Sequence, residues 1–441
     1  MAMTKNAQLV EAAIQRRDGV AVLTKSVNLA MEGLGAGLLE SVQYQENRAQ
    51  VRREREPYSH ALSLVNDHIT VKQELIDEAS ATYKEIAERL VSKLQWPKDA
   101  INIFPQGSAS TRTLIRTLGN RKFDIDAVCE VDITKIQAQD PIAFFHAIGE
   151  ALDGLEATPK KRCWSINCVD KPFYLEFTPS VPLVKVQLTQ RQLYALKNVA
   201  PEYMATALAV VDTPQRDWKT SNPAGIRDWV NCISDREIVL KLAMEAYDSA
   251  VCANIEPVVK QSVEVEETLR VAIRLFKRHR DMCVHRGLFT TEVQPISIIL
   301  VTLLTICYDG LADLIDDGVR RPFTHVVDAL ITLADLLPDM IPKYPDVGYY
   351  LANPTEADEN FAERWNLDEG ERAEAFKTWC GLLHADLVSI AALNDAEKIK
   401  EKTLEVFGCM AVGGPSGNGN SGISVTLPRA PSPVPRTSGL A

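Results

Sequence analysis

Two aspartates lie one residue apart in a stretch, "KFDIDAVCEV", whose other residues favour a buried strand. Side chains alternate between the two faces of a strand, so Asp124 and Asp126 share one face. Phe123, Ile125 and Ala127 share the other. Two such carboxylates can converge on Mg²⁺, which proteins bind with one or two carboxylates plus substrate phosphate oxygens. A lone D-x-D pair is usually a solvated strand face, so the accompanying residues decide its meaning.

A third carboxylate follows in a later strand, "PFYLEFTPSV". Alternation places Phe173, Leu175 and Phe177 on one face and Glu176, the only acid of this segment, on the other. A third carboxylate would allow two metal ions about 3.5–4 Å apart, the arrangement for in-line phosphoryl displacement. The sequence therefore predicts a two-metal site on Asp124, Asp126 and Glu176.

A Gly-Ser pair, Gly107-Ser108, follows the predicted strand "AINIF" and precedes "ASTRTLIRTL". The second segment predicts a helix with Ser108 or Ser110 as its N-cap. Free N–H groups at a helix N-terminus, beside a glycine that permits close approach, bind phosphate. A lone Gly-Ser is usually an ordinary turn, but its order with the later acids predicts a triphosphate site.

The elements that must position these residues form two groups. Helical spacing over 59–94 places one apolar stripe on a long helix that Pro97 ends, and short strands and helices follow. From about Ser234 to Gly408 nearly every segment is helical. This order predicts an α+β lobe packed on a helical lobe, with the site in the cleft between them. The predicted divisions are an N-terminal extension (1–57), a catalytic lobe (58–233), a helical lobe (234–411) and a disordered Gly/Ser/Pro-rich tail (412–441).

Composition limits the kind of protein. The 441 residues carry a net charge of −11, which argues against a surface built to coat nucleic acid. Nine cysteines without a C-x-x-C pair fit reduced thiols in a cytoplasm. The group His279, Cys283 and His285 lacks a second ligand pair, so no metal site is predicted there. The apolar run "PISIILVTLLTIC" falls short of the about 20 residues of a spanning helix and predicts a buried core helix.

Four segments, taken in order, carry a family resemblance. "GSASTRTLIRTLGNRKFDID" resembles the G-S…D-x-D signature of polymerase-beta-like nucleotidyltransferases. More narrowly, it is similar to that of the bacterial cyclic-oligonucleotide synthases, relatives of cyclic GMP-AMP synthase and oligoadenylate synthase. "WKTSNPAGIRDWV", "LRVAIRLFKRHRDMC" with "QPISIILVTLL", and "NPTEADENFAERW" resemble later segments of that group. Together they cover about residues 58 to 408, and they imply a nucleotidyltransferase lobe joined to a helical lobe like that of oligoadenylate synthase.

The resemblance implies roles for the residues that match the motif. Gly107 and Ser108 match the triphosphate-binding turn, and Asp124 and Asp126 match the metal ligands. Glu176 occupies the place of a third acid that is more often aspartate in the family, so it is open whether it is the base, a metal ligand or both.

Two further positions belong to the helical lobe. Lys277 lies on a helix that faces the donor phosphates in relatives, although a snorkelling surface lysine is the ordinary alternative. Ser297 either contacts phosphate or caps the buried helix. Five cations make the Lys277 helix strongly basic, which suits a triphosphate or a regulatory ligand: Arg270, Arg274, Lys277, Arg278 and Arg280.

The resemblance implies a template-independent nucleotidyltransferase that makes a cyclic di- or trinucleotide from ATP and other NTPs, with two Mg²⁺ ions that Mn²⁺ can replace. The product would act on a downstream effector in anti-phage defence, without a membrane or a stable nucleic-acid partner. Open alternatives are a linear or tailing polymerase, a protein-nucleotidylating transferase, and a non-catalytic nucleotide-binding scaffold. The flexible end at Ala441 resembles tails that ubiquitin-transfer-like E1/E2 partners conjugate, and the alternative is an inert end.

Overall fold

A computed structural model of the chain describes residues 3–22, 56–119, 121–135, 140–186, 201–240, 260–356 and 359–410. Within these ranges one hydrophobic core lies under a mixed β-sheet and a second fills a helical lobe. The predicted α+β architecture is therefore confirmed.

The sheet of the first lobe has seven strands, in the order β1-β2-β5-β4-β3, with β6 paired to β5 and β7 to β6. Only β2 and β5 run parallel; the other pairs are antiparallel. The strands are β1 Ile101–Pro105, β2 Phe123–Val131, β3 Ala157–Pro159, β4 Trp164–Asn167, β5 Phe173–Pro182, β6 Leu208–Asp212 and β7 Asp217–Ser221.

The described helices are α1 Lys5–Val22, α2 (56–69), α3 Gln73–Leu94, α4 Gly107–Ser110, α5 Pro141–Ala151, α6 Pro201–Met204, α7 Pro223–Ser234, α8 Thr268–His285, α9 Ser297–Asp316, α10 Val326–Leu336, α11 Glu371–Ala391 and α12 Ala396–Val406. A short ribbon, β8 Lys343–Tyr344 and β9 Gly348–Tyr349, precedes α11.

Helix α3 covers the sheet with the apolar stripe that its spacing predicts. Ile76, Ala79, Tyr83, Ile86 and Leu90 are all buried, since positions three and four residues apart share one face of a helix. The predicted stripe is therefore confirmed at these positions.

Helix α9 is the centre of the helical lobe, as its apolar sequence predicts. It is the one helix in the described ranges that is long and apolar enough to cross a membrane by length and composition. Most of it is buried against its neighbours, and core helices of this kind meet the same criteria. Its burial accords with the predicted core helix.

The N-terminal segment differs from the expected separate extension, because α1 is part of the helical lobe. Ala7, Val10 and Ala13 are fully buried in that core. Gly310 of α9 makes the contact possible, since a Cβ there would lie 2.5 Å from the carbonyl oxygen of Asn6. Residues 23–55 lie outside the described ranges.

The lobe boundaries also differ from those expected at 58 and 233. Tyr58, Ala61 and Leu62 of α2 pack into the core of the helical lobe, and so do Trp229 and Val230 of α7. The sheet lobe thus begins with α3 and ends near β7. The predicted disordered tail, 412–441, lies outside the described residues.

Two local predictions were wrong, and one hairpin was missed. The single helix over 59–94 is two helices, because the chain bends at Thr70, whose hydroxyl donates to the carbonyl of Asn66 at 2.7 Å. The helix predicted from Arg236 is not formed up to Leu240; Val239 bridges Phe323 instead, and residues 241–259 are not described. The β6–β7 hairpin was not predicted at all.

Candidate active site

The parallel pairing of β2 with β5 brings the three predicted carboxylates to one face of the sheet. Its register sets Asp124 beside Tyr174 and Asp126 beside Glu176. Residues that pair across neighbouring strands point to the same face. Acids that are far apart in sequence therefore become neighbours, as the alternation of each strand predicts.

Asp126 is the central acid of this group. Its burial, together with the nearby Asp124 and Glu176 carboxylates, raises the pKa of Asp126. The backbone carbonyl of Asp126 accepts from the Tyr83 hydroxyl at 3.2 Å and from the Gln106 amide at 3.0 Å. These two hydrogen bonds hold the backbone of β2 in place at Asp126. The negative field of the neighbouring carboxylates favours a bound cation there.

Gly107 lies directly against Asp126. Its φ is +59°, and a Cβ at this position would come within 2.4 Å of Asp126 Oδ2. Both the left-handed backbone and the close approach require glycine. The sequence motif contains both a glycine and an aspartate because Gly107 and Asp126 lie in direct contact in the fold.

The helix predicted after the Gly-Ser pair is only one turn, α4, and neither Ser108 nor Ser110 caps it. The Ser110 hydroxyl donates back to the Gly107 carbonyl at 3.0 Å. Arg112 adopts a left-handed φ of +60°, which ends the helix. A helix therefore begins at the predicted place, but the predicted serine cap is wrong and the helix is much shorter than the apolar segment suggested.

Residues 107–113, which we name the Gly-Ser loop, are held from the helical lobe through their carbonyl oxygens. Gln261 Nε2 donates to the Ala109 carbonyl at 2.9 Å. Lys277 Nζ donates to the carbonyl of Thr113 at 3.0 Å. Two opposed lobes thus determine the position of this loop.

An ion-pair network reinforces the same contact between the lobes. Arg112 Nη1 and Arg270 Nη1 both donate to Glu267 Oε2, at 2.8 and 2.6 Å. Arg270 Nε also donates to the carbonyl of Thr111 at 3.4 Å. Glu267 therefore joins the side chain of a loop residue to the helix α8.

A cleft of about 230 Å³ opens between the lobes at this point. All the predicted site residues except Glu176 line it: Gly107, Ser108, Asp124, Asp126, Lys277 and Ser297. The aspartates and the Gly-Ser loop form one wall, and residues of α8 and α9 form the other. The predicted location of the site between the lobes matches this geometry.

Lys277 is a buried wall residue and not a snorkelling surface lysine. Its side chain is 5 % exposed. Burial, with the nearby Arg280 as the next cause, lowers the pKa of Lys277 to about 8. A cation held without full solvation or a carboxylate partner is suited to an anionic ligand.

Ser297 is the first residue of α9, and its side chain does not cap the helix. Its hydroxyl accepts from Arg280 Nη1 at 3.2 Å. Arg280 in turn binds Asp281, and both line the cleft. Asp281 was not predicted, although its position one helical turn beyond Lys277 could have indicated it.

Two other cations of α8, Arg270 and Arg274, make contacts within the fold. Arg274 is fully buried and donates to the carbonyls of Gln261 and Asn66 at 3.5 and 3.4 Å. Arg270 serves the network around Glu267. Only Lys277 and Arg280 of the five predicted cations face the cleft.

Glu176 is in register with Asp126, and its side chain is engaged by Lys160 and Cys163. Its Oε1 accepts from Lys160 Nζ, and its Oε2 lies 3.7 Å from the Cys163 sulfur. In the part of the chain that is described, no group of three His, Cys, Asp or Glu residues is arranged to hold a metal ion. Asp124 and Asp126 fit one Mg²⁺ that also binds substrate phosphates, whereas the charge of Glu176 is offset by Lys160.

The group His279, Cys283 and His285 serves packing. His279 Nε2 is 3.0 Å from Asp386 Oδ2, and its Nδ1 is 3.6 Å from the Cys283 sulfur. His285 is exposed at the end of α8.

The structure thus has a mixed-sheet lobe joined to a helical lobe, with the candidate site in the cleft between them. No family model matches the chain. It is 25% identical over 314 residues to a protein of Roseivirga ehrenbergii named c-di-GMP synthase, covering 70% of this chain and 72% of that protein.

Solved structures of CD-NTases share the fold. The CD-NTase CdnG of Bradyrhizobium diazoefficiens, in complex with GTP, superposes with a TM-score of 0.53 at 16% identity, covering 80% of this chain and 99% of that one. CdnC of E. coli MS115-1 with ATP gives 0.50 at 12% identity, covering 79% and 97%. The shared fold and the similarity to the Roseivirga protein both confirm the resemblance to bacterial cyclic-oligonucleotide synthases.

Proposed function

We propose that this protein is a template-independent nucleotidyltransferase that joins NTPs into a cyclic di- or trinucleotide and releases pyrophosphate. One observation carries the proposal. Asp124 and Asp126 lie against the Gly-Ser loop on one wall of a cleft, and the buried cation Lys277 lies on the opposite wall. This is an arrangement for a metal-bound triphosphate.

The chain's own residues have distinct parts in the proposed reaction. Backbone N–H groups at Gly107 and Ser108, with Lys277, would hold the donor phosphates. Asp124 and Asp126 would hold Mg²⁺, whose chemistry is to neutralise charge on the attacking and leaving oxygens. Glu176 is the third acid, either as a metal ligand or as the base.

The proposed reaction forms one bond to the α-phosphorus and breaks another. A ribose hydroxyl oxygen of one nucleotide forms a bond to the α-phosphorus of another, and the bond from that phosphorus to the pyrophosphate oxygen breaks. The hydroxyl proton passes to a site carboxylate and then to water. The same step between the two ends of the linear product closes the ring and releases a further pyrophosphate.

Both purine nucleotides are proposed substrates. The relative's name specifies a guanine product, and the two similar structures hold GTP and ATP. The apolar side chains of Ile226, Ile298 and Val301 line the same cleft and suit a ribose or base. The proposal extends to a cytoplasmic enzyme whose product switches on an anti-phage effector.

Product analysis tests the proposal directly. The purified chain is incubated with the four NTPs, singly and mixed, with Mg²⁺ and with Mn²⁺, and the products are identified by mass spectrometry before and after phosphatase. A cyclic product has no terminal phosphate to remove, whereas phosphatase-sensitive products would indicate a linear polymerase.

A matched pair of double variants tests the site. Asp124→Ala with Asp126→Ala should abolish pyrophosphate release, whereas Asp99→Ala with Asp132→Ala, which removes two acids of the same lobe outside the cleft, should not. Equal product from the first variant and the wild type would show that the chemistry lies elsewhere.

Conjugation through the C-terminus is a separate proposal, for a tail beyond the described residues. With a ubiquitin-transfer-like E1/E2 partner present, the chain ending at Ala441 should form covalent adducts that a chain lacking its last few residues does not. Unchanged adduct formation by the shortened chain would refute it.

A further inference from the structure

A short basic turn joins β3 to β4 near the candidate site. We name residues Lys160–Arg162 the basic turn. The Lys160 amide donates to the Cys163 carbonyl at 2.8 Å and closes the turn. Because the turn is tight, the backbone positions from which its side chains extend are fixed.

The basic turn is anchored by its other two cations. Arg162 Nε and Nη2 donate to Asp212 Oδ2 at 3.2 and 3.1 Å, and Lys161 Nζ lies 3.7 Å from the same oxygen. Asp212, at the end of β6, is 1 % exposed. The turn is thus fastened to the edge of the sheet, and the position of Lys160 is not that of a free surface lysine.

From this anchor Lys160 reaches Glu176. Its Nζ forms an ion pair with Glu176 Oε1 and lies 5.6 Å from the centroid of the Tyr174 ring. Tyr174 and Glu176 are the residues of β5 that stand in register with Asp124 and Asp126. The ammonium group therefore covers the edge of the carboxylate face beside the two aspartates.

A carboxylate oxygen that binds an ammonium group is not available to a divalent cation at the same time. The other oxygen, Oε2, has no ammonium partner, but a cation bound by all three acids would meet the positive charge of Lys160 on the same carboxylate. The Glu176 side chain is 25 % exposed and the Lys160 side chain 47 % exposed, so the pair is only partly shielded from solvent.

We propose that Lys160 is a positioning residue that neutralises Glu176, so that the site binds one divalent cation readily and a second much more weakly while this ion pair persists. This inference rests on the proposed function, because it assumes that Asp124 and Asp126 bind the first cation.

Manganese binding by the full chain tests the inference without a measurement of turnover. Free Mn²⁺ is counted by electron paramagnetic resonance during titration of the wild type, Lys160→Met, Lys160→Arg and Lys161→Met. Lys160→Met should bind the second Mn²⁺ about tenfold more tightly, which corresponds to about 1.4 kcal/mol. Lys160→Arg keeps the ion pair, and Lys161→Met removes a neighbouring charge that faces Asp212, so both should bind like the wild type.

The outcomes separate this inference from the proposed function. If Lys160→Met and Lys161→Met bind the second Mn²⁺ equally, or if Lys160→Met binds it more weakly, Lys160 does not control Glu176. If Asp124→Ala with Asp126→Ala binds Mn²⁺ like the wild type, the carboxylate site itself is wrong. Circular dichroism checks the fold of each variant, and Lys160→Gln, with the same expected gain, replaces Lys160→Met if that variant is unfolded.

Discussion

Replacement of Gly107 by alanine should damage the protein in two separable ways. The φ of +59° disfavours any residue with a Cβ, which costs about 1–2 kcal/mol of stability. The new Cβ would also meet Asp126 Oδ2 at 2.4 Å, so the carboxylate must move. A forced rotation of about 30° adds about 0.5–1.5 kcal/mol.

The displaced carboxylate should affect turnover more than stability. A shift of about 1 Å in a catalytic group costs about 10²-fold in rate. The assay is the initial rate of pyrophosphate release from NTPs with Mg²⁺, together with urea unfolding of the same preparation. We expect a fall of one to two orders of magnitude in rate for Gly107→Ala.

Gly318→Ala is the matched control for backbone strain. Gly318 has a φ of +72°, and nothing lies within 4 Å of the position where its Cβ would be. It should lose about 1–2 kcal/mol of stability and keep its rate. The reasoning about Asp126 is refuted if Gly107→Ala retains the rate of Gly318→Ala, or if both lose the same rate.

Three other predictions concern the lobes and the cleft. Gly310→Ala should destabilise the chain by about 1–3 kcal/mol, because the new methyl group meets the backbone of α1. The control, Gly381→Ala, places its methyl group in open space on α11 and should stabilise the chain by up to about 1 kcal/mol. Thermal unfolding that ranks the two variants the other way would contradict the docking of α1. Glu267→Gln should raise the KM for NTP several-fold in steady-state assays, since the guanidinium groups that hold the Gly-Ser loop lose their charged partner; an unchanged KM would show that the network is dispensable. Lys277→Met should weaken binding of a non-hydrolysable NTP about tenfold or more in calorimetry, and equal affinity would remove Lys277 from the phosphate site.

The face of the sheet that bears the site could be predicted because the alternation of side chains along a strand depends only on residues that are adjacent in sequence. Asp124, Asp126 and Glu176 each follow from the apolar residues around them, and the parallel register then aligns them. The engagement of Glu176 by Lys160 could not be predicted, because it depends on how the β3–β4 hairpin folds over the edge of β5.

Two other features depend on tertiary contacts that leave a weak trace in sequence. The buried face of α1 consists of small residues such as Ala7 and Ala13, and its place is decided by Gly310 on a distant helix. The charges of α8 suggest a solvated helix, but Arg274 is buried and donates to the Thr70 hydroxyl and to two backbone carbonyls, groups that no charge pattern in the sequence indicates.

Burial of the cations of α8 also changes the charge that the surface of the molecule presents to the solvent. Among the described residues five lysine and arginine side chains are buried, against only two carboxylates, Asp212 and Glu356. The exterior is therefore more acidic than the overall charge of −11 suggests. That exterior repels polyanions, and the described lining of the cleft itself has three aspartates against the two cations Lys277 and Arg280. Attraction of a nucleotide into the cleft would therefore depend on a divalent cation that offsets these carboxylates, while the outer surface discourages extended polyanions.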